Sequence, residues 1–310
     1  MFSVIFPGQG SQTVGMAKNI YERFSFVKEL FHKADDVLGL PISKIILNGP
    51  KEELDLTENT QPAIFIVSYS IFQLIKKETN TDIIKAKFFA GHSLGEYSAL
   101  AASESINFEE TLKLLKIRGK SMQSAVPKGE GGMLAVLGSD INKINEILAN
   151  NSSKFKCFVA NDNSVGQVVI SGKTKDINLF ADHLKMEKIK NIKLSVSAPF
   201  HCNLMRPATE IMKNEISKVE FKDSKVKILS NVTASEVEKA EEIKKLLIEQ
   251  IEKPVRWREI ILYMIEKNIK TFIEIGPGKV LSGLIKRIDK NLSITNVNGI
   301  NDIKNLNIND

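Results

Sequence analysis

The stretch FFAGHSLGEYSAL occupies residues 88–100. An apolar run ends at Gly91, His92 and Ser93 follow, then Leu94 and Gly95, and a helix-like stretch completes it. Gly-His-Ser-Leu-Gly fits the G-x-S-x-G pattern, in which a strand turns sharply into a helix and lifts a serine hydroxyl clear of a sheet. Gly91 and Gly95 leave room for strained backbone and close helix packing. The N–H of Leu94, at the helix N-terminus, can point at a developing oxyanion. A small-residue turn with no chemistry has the same letters, so the motif alone leaves both readings open.

Outward from this turn, strand and helix patterns alternate. SVIFPG (3–8), KAKFFAG (85–91), VKILSNV (226–232), KTFIEIG (270–276) and LSITNVN (292–298) read as strands, and the Asn-rich end beyond them as frayed. Helical patterns fall near 19–38, 58–78, 107–126, 239–251 and 256–268. In the 58–78 segment, Thr60 is the expected N-cap, Pro62 fits the first turn, and Lys76 and Lys77 suit the C-terminal end. Such alternation predicts an α/β fold with a parallel sheet covered on both faces. The texture changes at the Pro/Gly loop PKGEGG (127–132). Strand (133–138), helix (140–151), strands (155–161 and 166–172), helix (174–186) and strand (190–197) follow. This βαββαβ order is that of a ferredoxin-like unit, inserted at residues 128–196.

A chain of 310 residues suits one large domain, or a large domain with a smaller companion. The net charge is +6, which is compatible with an acidic partner or anionic substrate. The basic residues are scattered, with no block interleaved with aromatics and no zinc-finger or RNA-binding signature, so nucleic-acid binding is not expected. Cys157 and Cys202 form no Cys-x-x-Cys spacing, which argues against a disulfide framework or a metal site and for a reducing compartment. No apolar run approaches the ~18 residues of a membrane span. MFSVIFPGQG enters a strand-like segment without a basic n-region or cleavage site. A cytoplasmic protein without membrane contact is the expectation.

A nucleophilic serine needs a base. His32 and His183 lie in charged helical stretches, and His92 adjoins the serine on a tight turn, where neighbours point apart. His201, in SAPFHCNLM, falls in a loop at the return from the insertion, expected over the C-terminal edge of the sheet, where catalytic groups gather. A satisfied loop histidine is the alternative. The aspartates between Ser93 and His201 are Asp140, Asp162, Asp176 and Asp182, all in the insertion at places that look exposed. No triad acid is evident, so another group, such as a main-chain carbonyl, would have to orient the imidazole. GPGK (276–279) lacks the spacing and the Ser/Thr of a phosphate loop and reads as a strand-end turn. Cys202 reads as a packed apolar residue.

FPGQGSQ (6–12), TQPAIF (60–65), GHSLGEYSAL (91–100), RGKSMQ (118–123), GGMLAV (131–136), NSVGQVVISG (163–172), APFHCNLM (198–205), EQIEKPVRW (249–257) and IEIGPGKVL (273–281) occur in order along the chain. Together they resemble the malonyl-CoA:acyl carrier protein transacylases and the related acyltransferase domains of fatty acid and polyketide synthases. The resemblance implies an α/β-hydrolase-like core, residues 1–127 and 197–310, with a ferredoxin-like insertion at 128–196. It implies ping-pong transfer of malonyl from malonyl-CoA to holo-acyl carrier protein for fatty acid synthesis. Ser93 would be the nucleophile and His201 the base, with the amides of Gln9 and Leu94 as oxyanion hole and a main-chain carbonyl near Gln250 holding the His201 ring. Arg118 would bind the malonyl carboxylate, since a guanidinium matches it in a two-pronged pair. Met122, His92 and Phe200 would line the pocket, the bulk of Phe200 disfavouring an α-methyl branch. The family implies no metal or bound cofactor, CoA being a co-substrate, and a monomer. The competing readings are a serine acyl hydrolase or thioesterase on the same scaffold, and a carrier-binding scaffold without chemistry.

Overall fold

The structure, a computed structural model, describes residues 1–196 and 198–306. Its larger sheet is built from β1 (Phe2–Phe6), β2 (Phe89–Gly91), β7 (Ile228–Leu229), β8 (Glu236–Val237), β9 (Thr271–Ile275) and β10 (Ser293–Val297), in the order β10-β9-β1-β2-β7-β8. All neighbours pair parallel except β7 and β8. A second sheet contains β3 (Gly131–Leu137), β4 (Cys157–Ser164), β5 (Gln167–Lys173) and β6 (Lys190–Lys193), antiparallel throughout, in the order β4-β5-β3-β6. With α8 (Ile141–Asn150) and α9 (Thr174–Met186) on one face, it is the expected βαββαβ unit. The fold is thus an α/β-hydrolase-like core with a ferredoxin-like companion.

Parallel strands buried on both faces read as continuous apolar runs, and Phe2–Phe6 is buried throughout. One face of the large sheet packs on a core that holds α1 (Lys18–Arg23), α2 (Ser25–Leu38), α3 (Ile42–Asn48), α4 (Lys51–Leu54), α5 (Thr57–Glu78), α6 (Leu94–Ala102), α7 (Phe108–Ser124), α10 (Arg206–Ser217), α11 (Ala240–Glu249) and α14 (Ile300–Lys304). The other face packs on α12 (Trp257–Glu266) and α13 (Val280–Ile288) around Trp257, Ile261 and Leu284. The small sheet alternates with period two. Leu134, Val136, Val168 and Ile170 turn towards α8 and α9, whereas Met133, Ala135 and Val169 join the core of the large unit. The small sheet therefore walls one side of the large one.

Several sequence expectations need correction. Helix α5 starts at Thr57, so Pro62 lies in its second turn and Thr60 caps nothing; the Thr60 hydroxyl donates instead to the Leu54 carbonyl at 2.6 Å. The strand expected at 226–232 shortens to Ile228–Leu229, because the chain leaves the sheet before Asn231. That expected at 190–197 ends at Lys193, and Ser197 lies outside the described residues, as does the end at 307–310. Helix α13 was not anticipated; the buried carboxylate of Glu274 accepts the amides of Leu281 and Ser282 and fixes its start. Asp162, expected to be exposed, is buried and receives Arg258 of α12 in a two-pronged pair at 2.9–3.1 Å.

Beside that pair, the main chain of Ala160 and Asp162 exchanges hydrogen bonds with Val255. Removing Arg258 strands the Asp162 carboxylate in a dry contact. Arg258→Ala should therefore lose about 3 kcal/mol in urea unfolding, and adding Asp162→Ala should return much of it. A single substitution as stable as the parent would show that the pair contributes nothing.

Candidate active site

Gly91 ends β2 level with Phe6 of β1, at the C-terminal edge of the sheet. The chain turns at Ser93 with φ 53° and ψ −110°, and α6 begins at the next residue. A Cβ on Gly91 would overlap the main chain of Gly95, and one on Gly95 would overlap the Phe6 carbonyl. Both glycines are therefore demanded by close approach. Asn231, wholly buried just beyond β7, clamps the turn. Its side-chain amide donates to Gly91 O and its Oδ1 accepts the Ser93 N–H, both at 2.7 Å.

Ser93 Oγ lies 2.8 Å from His201 Nε2, and His201 Nδ1 lies 2.8 Å from the Gln250 carbonyl. A carbonyl only accepts, so Nδ1 carries a proton and donates it. Burial, with the nearby Arg118 charge, pushes the His201 pKa down to about 3, so the ring is neutral near pH 7. Its Nε2 lone pair then faces the serine and accepts the Ser93 O–H. The aspartates considered as triad acids play no part, and a main-chain carbonyl orients the ring.

Arg118 reaches the same serine from α7. That helix crosses α5 so closely that a Cβ on Gly119 would meet Thr57 O at 2.5 Å and Glu58 Cα at 2.6 Å. Arg118 as a whole is 1 % exposed. Nη1 donates to Gln61 Oε1 at 2.7 Å; Nη2 donates to Gln250 Oε1 at 2.9 Å and to Ser93 Oγ at 3.0 Å. Its Cζ sits 5.6 Å from the centre of the Tyr97 ring. Burial lowers its pKa, yet an arginine keeps its charge at neutral pH.

These groups line a cavity of about 110 Å³. Gln9 and Leu94 flank the serine, and Met122, Met133, Phe200, Leu194 and Val196 supply apolar walls. Leu94, the first residue of α6, has an amide with no intrahelical acceptor. A groove of about 560 Å³, bordered by Lys120, Lys128 and Ser195, shares Gln9 and Val196 with the cavity. His92 also lines the cavity, but its Nε2 bonds Asn163 Oδ1 of β4 at 2.8 Å, while burial lowers its pKa. It thus ties the turn to the small sheet.

The structure brings all nine candidates together: Gln9, His92, Ser93, Leu94, Arg118, Met122, Phe200, His201 and Gln250. His32 and His183 lie elsewhere, the former bonded to Tyr21 and the latter against the Phe155 ring. Cys202 is buried, its thiol directed at Pro199 O. Asn231, Glu96, Gln61 and Asn163 were missed. A polar residue just past a parallel strand was the available signal for Asn231. Asn231→Ala leaves the Ser93 amide and the Gly91 carbonyl buried without partners. It should cost about 2 kcal/mol or more in thermal or urea unfolding. Parental stability would contradict the clamp.

The Acyl transferase domain family matches residues 3–304. A malonyl CoA-acyl carrier protein transacylase of Bacillus subtilis is 42% identical over 290 residues, 93% of this chain and 90% of that protein. One from Haemophilus influenzae is 38% identical over 300 residues, 96% of each. Among solved structures, the acyl-carrier-protein-S-malonyltransferase of Bartonella henselae superposes with a TM-score of 0.95 at 39% identity, covering 98% of this chain and 97% of that one. A malonyl-transacylase in complex with its type II PKS acyl-carrier protein superposes with a TM-score of 0.93 at 36% identity, covering 98% and 97%. With a strained serine, a neutral histidine and a buried arginine converging on one cavity, and with likeness over nearly its whole length, this chain belongs to the acyl transferase domain family that includes the malonyl CoA-acyl carrier protein transacylases.

Proposed function

We propose that the protein transfers the malonyl group of malonyl-CoA to the phosphopantetheine thiol of holo-acyl carrier protein through an acyl-enzyme on Ser93. The observation that carries this reading is Arg118: a guanidinium shut away from water 3.0 Å from the serine hydroxyl. A pocket for a neutral acyl chain gains nothing from a desolvated cation, whereas a free carboxylate on the acyl group pairs with one.

His201 Nε2 takes the Ser93 proton as Oγ attacks the thioester carbon. The carbonyl oxygen becomes an oxyanion held by the amides of Gln9 and Leu94. The intermediate collapses, the C–S bond breaks, and the imidazolium returns the proton to the CoA thiolate. The carrier thiol then enters along the groove, gives its proton to His201 and attacks the acyl-serine, regenerating the Ser93 hydroxyl. This sequence requires no metal or tightly bound cofactor. Burial first, and the Arg118 charge second, hold His201 acidic; a malonyl carboxylate seated on Arg118 offsets the second part and makes the base stronger when substrate is bound. Met122 and Phe200 bound the space beside the acyl carbon and disfavour an α-methyl branch.

The division into residues 1–127 and 197–310, with 128–196 inserted, belongs to the same reading; the four strands between Gly131 and Lys193 support it. Service to fatty acid synthesis, a cytoplasmic site and a monomer are further parts of the proposed reading. Among the described residues no helix is long and apolar enough to cross a membrane.

Transfer to holo-acyl carrier protein, followed by chromatography, tests the reading. Ser93→Ala should abolish it. Arg118→Ala should lower kcat/KM for malonyl-CoA roughly 100-fold while acetyl-CoA gains relative to it, the loss expected when charge-assisted bonds go. Unchanged preference in Arg118→Ala would refute the carboxylate site. Since burial holds His201 near 3, kcat/KM should show no acid limb at the usual histidine value of about 6.5. A loss of kcat/KM on acidification with its midpoint there would contradict a buried neutral base.

A further inference from the structure

Glu96 sits on α6, less than one turn beyond Ser93, with 2 % exposure. A carboxylate is almost never this buried without a reason. Its Oε2 accepts two hydrogen bonds, from the Asn231 amide at 3.0 Å and from Gln250 Nε2 at 2.7 Å. Those two partners hold the rest of the site. Asn231 clamps the Ser93 turn. Gln250 orients His201 with its carbonyl and Arg118 with its Oε1, and its Nε2 also donates to Ser93 O. One oxygen thus governs the positions of nucleophile, base and carboxylate-binding cation without touching any of them.

We propose that Glu96 is a positioning residue and the buried counter-charge of Arg118, fixing Asn231 and Gln250 as an acceptor and tempering through its charge the pull of Arg118 on an incoming carboxylate. The inference rests on the malonyl-transfer reading. Gln250 stands between the two charges, taking a bond from Arg118 and giving one to Glu96. A substrate carboxylate on Arg118 brings a second anion to one buried cation, which favours proton uptake at Glu96. Burial already pushes the Glu96 carboxyl up to about 7, while Asn231, Gln250 and Arg118 pull it down.

The neighbouring elements leave few other charges to consider. β1 and β2 contain no ionisable side chain. From α7, Arg118 faces the site, whereas Lys116 pairs with Glu58 of α5. Also on α5, Tyr69 packs on Phe65 and Phe108, and Lys76 pairs with Glu104. On α6 itself, Tyr97 is pushed up to about 12, chiefly by burial, and stays neutral. His201 feels Arg118 and is held neutral.

The test compares steady-state malonyl transfer from pH 6 to 8 in the full-length parent, Glu96→Gln and Glu96→Ala, with melting curves for each. A parent that forms no Ser93 malonyl adduct overturns the transfer reading itself. Given an active parent, Glu96→Ala, which loses the acceptor, should lower kcat by about 100-fold, the usual cost of displaced reacting groups. Glu96→Gln keeps an acceptor oxygen in the same place and loses only charge. It should retain most of kcat, lower KM for malonyl-CoA several-fold and abolish the pH dependence of that KM around neutrality. KM for acetyl-CoA, which lacks the carboxylate, should not move. Glu96→Ala with parental kcat, or Glu96→Gln with parental KM and pH profile, overturns the proposal. Should Glu96→Ala fail to fold, the Glu96→Gln profile alone decides.

Discussion

A full positive charge stands where water does not reach, and much of the site follows from accommodating it. Desolvating a guanidinium is costly unless its donors are met and its charge is answered. Gln61, Gln250 and Ser93 accept from the two terminal nitrogens of Arg118 while its buried Nε has no acceptor among the described residues, the Tyr97 ring packs near it, and Glu96 answers its charge through Gln250. The close crossing of α5 and α7 at Gly119 delivers the side chain there. The loop carrying Gln250 is fixed because its side chain serves the arginine while its carbonyl serves the histidine. Burial acidifies His201 and the same charge adds to it, so cation and base are coupled across one hydroxyl.

Main chain and side chain divide the work. Backbone groups supply the parts that must not move: the carbonyl holding His201, the amides beside Ser93, and the strained turn itself. Side chains supply the cavity's lining, Arg118, Met122 and Phe200 among them. The small sheet closes the site because its alternate residues face the large unit and because Asp162–Arg258 and His92–Asn163 fasten the two together.

Legibility followed the range of the interactions. Gly91 and Gly95 could be understood from the sequence because the clashes that demand them lie within one turn or against the adjoining strand. The βαββαβ unit was readable because its strands carry period two and its helices are amphipathic. Arg118 was different. A helical arginine is ordinarily solvated, and only the resemblance of RGKSMQ and its neighbours singled it out; its burial depends on α5, some sixty residues earlier. Asn231 acts on Ser93 across 138 positions and ends a strand too short to announce itself. Thr60 had the letters of a cap but sits one turn inside a helix that begins without one. Asp162 looked exposed because its partner, Arg258, lies 96 residues away.

The most direct measurement is the lifetime of the acyl-enzyme. Intact-protein mass after brief mixing with malonyl-CoA should show one malonyl group, absent from Ser93→Ala. In buffer alone that adduct should persist, because a seated carboxylate fills a small cavity walled by Met122, Met133 and Phe200, and it should vanish on addition of holo-acyl carrier protein. An adduct that forms but decays in buffer as fast as it is made would instead identify a hydrolase, and no adduct at all would remove the chemistry from Ser93.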